Sequence, residues 1–265
     1  FVDGKINMSR LALEKNIKAG RGEQFALIYD SPVTEVVQKI TYNQLLEKVS
    51  RFAGGLTSLG LSKGDTAIIY MPMIPEAIVA MLACARIGVI HSVVFGGFAA
   101  PELAIRIDDA QPDVIISASY GVEINRQINY KPLIDEAIEL TLYKPKNIVI
   151  FERPNHTDDL SAENVHTYDE MYQHQPIEPI EVPSTHPLYI LYTSGTTSTP
   201  KGVVRDTGGY ATALNSTMNY FYDLEPGDTI LTASDIGWVV GHSYIVYAPL
   251  IYGVTTVIYL SLIHI

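Results

Sequence analysis

Apolar positions along the chain follow two periods in turn. From Thr41 they recur at Leu45, Leu46, Val49, Phe52, Ala53, Leu56 and Leu59, the spacing of a helix with one buried face. Thr41 with Gln44 three residues on forms a capping box at its start, and Gly60 stops it. Thr66–Met71 is a short β-branched run closed by Pro72, and a helix follows from about Pro75 to Gly88. The alternation continues with strand Val89–Phe95, helix Pro101–Asp109, strand Val114–Ser117, helix Pro132–Leu140 and strand Ile148–Phe151. Further on come a buried strand Leu188–Tyr192, a polar loop, a helix near Gly208–Phe221 and a strand Asp228–Thr232. Strands and helices alternating through short connections predict an α/β fold, its mostly parallel sheets flanked by helices on both faces.

Residues 152–187 break this rhythm. Between Glu152 and Pro183 eight acids stand against one base, Arg153, with prolines at 154, 176, 179 and 183, so the stretch is read as a peripheral acidic connector. Its His156, His166 and His174 are spaced by ten and eight residues, which matches no local metal-ligand pattern and favours solvated loop histidines. Residues 237–265 contain no Asp, Glu, Lys or Arg, a length able to cross a bilayer. Pro249, Gly253, two histidines and several hydroxyls divide it instead into a helix of roughly eight residues and a strand Val254–Tyr259. No membrane span is expected.

Composition narrows the function classes. With 47% apolar and 18% charged residues there is material for a sizeable core, which excludes disorder. Eighteen basic against 29 acidic residues give a net charge of −11, which repels a nucleic-acid backbone but leaves room for a local anion pocket. One cysteine, Cys84, sits in an apolar helical run; it has no disulfide partner and is read as core, in a reducing intracellular compartment.

The densest chemistry lies at 192–202, Tyr-Thr-Ser-Gly-Thr-Thr-Ser-Thr-Pro-Lys-Gly. Seven consecutive residues, Thr193 to Thr199, are Ser, Thr or Gly, offering hydroxyls and a pliable backbone, and Lys201 adds a positive charge. By composition alone this is either an anion-binding loop or an ordinary Ser/Thr turn. It is not a Walker A loop, because Pro200-Lys201-Gly202 fails on both sides of the lysine.

The loop resembles the phosphate-binding signature of the adenylate-forming enzymes, and Asp-Ile-Gly-Trp-Val-Val-Gly-His-Ser-Tyr at 235–244 resembles the short-chain acyl-CoA synthetases among them. Asp-Ser-Pro-Val-Thr at 30–34, the strings at 70–77 and 81–88, and Val-Phe-Gly-Gly-Phe-Ala-Ala-Pro-Glu-Leu at 94–103 bring it nearest to the propionyl-CoA synthetases. The resemblance runs from Phe1 to about Tyr259. It implies the large N-terminal domain of that fold. It also implies a two-step reaction of a short-chain carboxylate, ATP with Mg2+, and coenzyme A, propionate being favoured and acetate the alternative. The partners are then small molecules, and the compartment is the cytoplasm or the mitochondrial matrix.

The resemblance also implies site residues. Thr193, Ser194, Gly195, Thr196, Thr197, Ser198 and Lys201 would hold the ATP phosphates, with Thr196 and Lys201 catalytic. Serine at 198 departs from the family's usual glycine; at a positive φ it would cost about 1 kcal/mol. Phe95, Gly96, Gly97, Glu123 and Arg126 would bind coenzyme A, although Gly96-Gly97 alone reads as a tight turn and Arg126 alone as a surface arginine. Trp238, the only tryptophan, is by default buried core, but the resemblance puts it with Val239 and Val240 at the acyl pocket. His242 has no evident carboxylate partner, so a structural hydrogen bond is expected of it rather than general-base chemistry.

The family's adenine-stacking segment, its Mg2+-binding glutamate, its ribose-binding aspartate and its C-terminal domain with a catalytic lysine have no counterpart here, so no metal ligand is assigned. The chain, residues 1–265, is expected to be part of an N-terminal AMP-binding domain unable by itself to complete the reaction, with residues 260–265 an arbitrary ending. A noncatalytic nucleotide-binding or interaction module is the reading from another class.

Overall fold

The computed structural model describes residues 3–123, 126–154, 156, 158–193 and 200–260. A seven-stranded sheet forms the centre. Its order is Val165–Thr167, Asn147–Phe151, Val114–Ala118, Thr66–Met71, Ile90–Phe95, Pro187–Thr193 and Lys201–Asp206, all parallel except the last. From Thr66–Met71 the chain moves first to one neighbour, Ile90–Phe95, and then back to the other, Val114–Ala118. Right-handed crossovers therefore put the helices Pro75–Arg86 and Ala100–Ala110 on opposite faces. Tyr42–Ser58 packs on the first and Tyr130–Leu140 on the second. A reversal of this kind opens a crevice at the carboxyl ends of the strands, where Phe95 and Thr193 lie.

Local chemistry sets the element ends. Gln44 N–H donates to Thr41 Oγ1 at 3.2 Å and Thr41 N–H to Gln44 Oε1 at 2.9 Å, the reciprocal capping box that the sequence predicts. Gly88 follows the Pro75–Arg86 helix at φ +70°, a conformation open to glycine without Cβ strain, and lets the chain turn straight into the next strand. That helix is buried almost all round. Its Arg86, 3% exposed, meets Glu14 Oε1 at 2.8 Å and donates from Nε to the Ile177 carbonyl at 2.7 Å, so its buried charge is paired and hydrogen-bonded.

The central alternation matches the sequence reading to within a few residues, and four features add to or change it. Phe25–Ser31 and Val36–Thr41, with Thr229–Leu231 and Thr255–Tyr259, make a second, four-stranded sheet. The polar loop ends at Lys201, where an antiparallel strand, Lys201–Asp206, begins. The apolar stretch after Trp238 is helical over 239–252, longer than the eight residues expected, because a π-helical segment, His242–Tyr247, carries it up to Pro249. The acidic stretch adds an edge strand and a helix, Tyr168–Tyr172, with its own capping box of Thr167 and Glu170. Tyr168 is buried there with its ring centroid 4.2 Å from that of Phe52.

Candidate functional site

Thr193 and Lys201 are direct partners across the antiparallel pair of Pro187–Thr193 and Lys201–Asp206. Opposed residues of such a pair project from the same face with Cβ atoms about 5 Å apart, so one hydroxyl and one ammonium flank the mouth of the intervening loop. Ser194, Gly195, Thr196, Thr197 and Ser198, also assigned to phosphate binding, lie outside the described residues. Side chains alternate along the strand. Tyr192 therefore faces away from Thr193, and its hydroxyl donates to Asp109 Oδ2 at 2.6 Å. The buried Arg106 guanidinium lies 5.5 Å from the Tyr192 ring centroid and 4.6 Å from that of Phe98. Helix Ala100–Ala110 thus clamps the residue just before the loop. Sequence reasoning did not single out Arg106, Asp109 or Tyr192; the available signal was a basic and an acidic residue three apart on one helix face.

The two segments assigned to coenzyme A, remote in sequence, are linked through Tyr130. A side chain at Gly96 or at Gly121 would run into the Tyr130 hydroxyl, so both glycines are needed for the close approach. Tyr130 packs on Tyr70, ring centroids 4.7 Å apart, and Tyr70 donates to the Phe98 carbonyl at 2.7 Å, which pins the turn after Phe95. Gly97 is exposed beside it. Tyr120–Glu123 and Arg126–Asn129 form a hairpin in which Glu123 and Arg126 are cross-strand partners, and Arg126 is exposed. Tyr130 too was missed by sequence reasoning, since nothing in its neighbourhood distinguishes it from core.

The third group approaches from the other end of the chain. Trp238 is 48% exposed, so it is not core, and its ring centroid lies 6.4 Å from that of Phe95. Val239 and Val240 are also exposed and begin the helix that Trp238 caps. The turn is tight: a Cβ at Gly241 would strike the Asp235 backbone, and one at Gly237 would approach Phe95 Cα to 3.3 Å. Ile236 N–H lies 3.2 Å from Met73 Sδ, docking the turn onto the segment after Thr66–Met71.

His242 makes the structural hydrogen bond expected of it, with Nδ1 3.2 Å from the Trp238 carbonyl. Burial pushes its pKa down to about 4, against the smaller upward pull of the Trp238 and Ile236 carbonyls. Cys84 is fully buried, and desolvation pushes its thiol up to about 12, which removes it as a nucleophile. Among the described residues no group of three or more His, Cys, Asp or Glu is placed to hold a metal ion.

The Thr193/Lys201 rung and Phe95 stand at the carboxyl ends of neighbouring strands, the place where open α/β sheets receive ligands. The chain belongs to the AMP-binding enzyme family, whose pattern matches residues 13–262. It is 52% identical over 261 residues to acyl-CoA synthetase short-chain family member 3, mitochondrial, of Rattus norvegicus, covering 98% of this chain and 38% of the rat protein. It is 44% identical to the propionate–CoA ligase of Escherichia coli K12, with coverage of 98% and 42%. Among solved structures it resembles acetoacetyl-CoA synthetase from Streptomyces lividans, with a TM-score of 0.87 at 25% identity over 96% of this chain and 38% of that one. The chain thus spans about two fifths of the length of these relatives.

Proposed function

We propose that this chain belongs to an ATP-dependent, AMP-forming ligase that joins a short-chain carboxylate, propionate in preference to acetate, to coenzyme A. The observation that carries the reading is convergence. The Thr193/Lys201 mouth, the Phe95-Gly96 turn and the exposed Trp238–Val240 wall come from three separate stretches and stand around the ends of two neighbouring strands.

In the first step a carboxylate oxygen attacks the α-phosphorus of ATP; the new O–P bond gives acyl-adenylate, and the bond to the β-phosphate breaks to release pyrophosphate. In the second the sulfur of coenzyme A bonds to the acyl carbon, AMP departs with the former carboxylate oxygen, and the thiol proton is lost to solvent. Both attacking atoms belong to substrates, so the chain's part is positioning and charge neutralisation. Lys201 acts as a point charge on the leaving pyrophosphate beside the loop hydroxyls of 193–198. Mg2+ travels with ATP as part of the substrate; the described residues offer no ligand cluster for it, and no step is assigned to it.

The Phe95–Gly97 turn, with the hairpin bearing Glu123 and Arg126, receives coenzyme A. A guanidinium suits its phosphates. Val240 gives the acyl pocket a methyl where acetyl-CoA synthetases usually have a threonine hydroxyl, and one extra substrate methylene against it is worth roughly 0.8 kcal/mol. That margin favours propionate without forbidding acetate. The compartment is intracellular in this reading; among the described residues no helix is long and apolar enough to cross a membrane. The test is kcat/KM for the two acids in the full-length enzyme. Propionate is expected to be preferred, with Val240→Thr narrowing the gap, and a higher value for acetate overturns the propionate preference.

A further inference from the structure

The peptide groups on both sides of Trp238 are held. Its N–H donates to the Asp235 carbonyl at 3.1 Å, and its own carbonyl accepts the His242 N–H at 3.0 Å. The same carbonyl lies 3.2 Å from His242 Nδ1. A carbonyl can only accept, so this contact is a hydrogen bond in the tautomer that carries its proton on Nδ1; the Ile236 carbonyl is the other backbone acceptor acting on the ring. His242 Nε2 is buried without a hydrogen-bond partner, as is His91 Nδ1. The imidazole packs over the side chains of two adjacent strands: its centroid is 4.6 Å from the Tyr189 ring, and the His91 ring lies nearly parallel at 5° and 6.1 Å. Tyr189 and His91 are paired residues on the two strands that end at Thr193 and Phe95. The Trp238 indole, by contrast, is half exposed and its ring meets that of Phe95 only at 6.4 Å. About half of the indole is open to solvent, so the anchoring of its backbone bears directly on where it stands.

We propose that His242 is a positioning residue which, by donating from Nδ1 to the Trp238 carbonyl while gripped by Tyr189 and His91, sets the Trp238–Val240 wall and with it the discrimination between acyl groups. The substrate part of this inference rests on the ligase reading above; the positioning part does not.

Three variants separate position from mere stability. His242→Asn keeps an N–H donor near the Nδ1 position, His242→Leu keeps the bulk without a donor, and His242→Gln moves the donor one bond further out. In the full-length enzyme His242→Leu should raise the carboxylate KM and lower the propionate-to-acetate ratio by about fivefold each, the worth of one hydrogen bond. The ATP KM should stay within about twofold, and His242→Asn should restore both carboxylate values to the same margin. In the full-length enzyme, acrylamide quenching of tryptophan fluorescence, with the signal of a Trp238→Phe control subtracted, reads the indole directly. The quenching constant should change in His242→Leu and return in His242→Asn. Unchanged quenching and selectivity in His242→Leu, equal behaviour of the Asn and Leu variants, or a parallel rise in the ATP KM overturns the proposal. If the Leu variant does not fold, His242→Gln takes its place with the same expectations. An unmodified enzyme that makes no acyl-CoA refutes the ligase reading, and the quenching comparison then still decides the positioning role.

Discussion

Thr193 and Lys201 face each other across the last rung of an antiparallel strand pair, so the loop between them leaves and re-enters the sheet at one fixed point. The hydroxyl of one and the ammonium of the other share a face of the sheet with Tyr189, the side on which the His242 helix packs. The charge at the loop is therefore presented from a strand and not from a free tether.

Removing that charge should hurt one half-reaction. In the full-length enzyme Lys201→Ala should slow adenylation by about 100-fold while leaving thioester formation from supplied acyl-adenylate within about twofold. Single-turnover measurement of each half-reaction decides it, and equal loss in both contradicts the role on the triphosphate.

The contact between Gly96 and Tyr130 makes a stability prediction. Gly96→Ala puts a methyl against the Tyr130 hydroxyl and should cost about 1–3 kcal/mol by overpacking. Tyr130→Phe removes the oxygen met by the new methyl, so the double variant should lose less than the sum of the single ones. Urea unfolding of the four proteins measures the coupling, and strict additivity would show that the hydroxyl does not limit the approach.

Buried neutral histidines set the acid limb of stability. His242 has a folded pKa of about 4, and that of His91 is likewise lowered, by burial and by His242 itself. The groups facing them are Tyr189, Tyr247 and each other. For a base whose folded pKa is depressed, the unfolded chain binds more protons below about 6.5, so stability is full above that pH and is lost as the pH falls. The loss from His242 by pH 4 is on the order of 3 kcal/mol. Unfolding free energies between pH 7 and 4 should show this slope, and His242→Asn should flatten it; an unchanged slope in that variant contradicts the assignment.

What the sequence made legible is what is local or periodic. The Thr41 capping box needs only residues three apart, and the central strands are runs too apolar to lie anywhere but inside. Lys201–Asp206 escaped because its two valines are adjacent and exposed, 39% and 56%, so it shows neither alternation nor a buried run. It is a strand because Pro187–Thr193 offers it a partner, and pairing of that sort leaves no mark in a short window. The residues at 95–97, 193, 201 and 238–240 are proposed for the site from their strings alone. Tyr130, Arg106 and Asp109 were not, since each acts by touching a residue far away in the sequence.

The thiol of Cys84 should be silent in the native protein. Its burial and raised pKa leave essentially no thiolate at neutral pH. A disulfide reagent should titrate no thiol in the folded 265-residue chain and one after unfolding in denaturant; rapid native labelling would contradict the packing around the Pro75–Arg86 helix.

In the proposed reaction the carboxylate is activated on the α-phosphorus, and pyrophosphate leaves past Thr193 and Lys201. Propionate-dependent exchange of labelled pyrophosphate into ATP, run on the full-length enzyme without coenzyme A, tests it most directly. Exchange should require propionate and collapse in Lys201→Ala. Exchange independent of carboxylate, or ADP and phosphate as products in place of AMP and pyrophosphate, would contradict it.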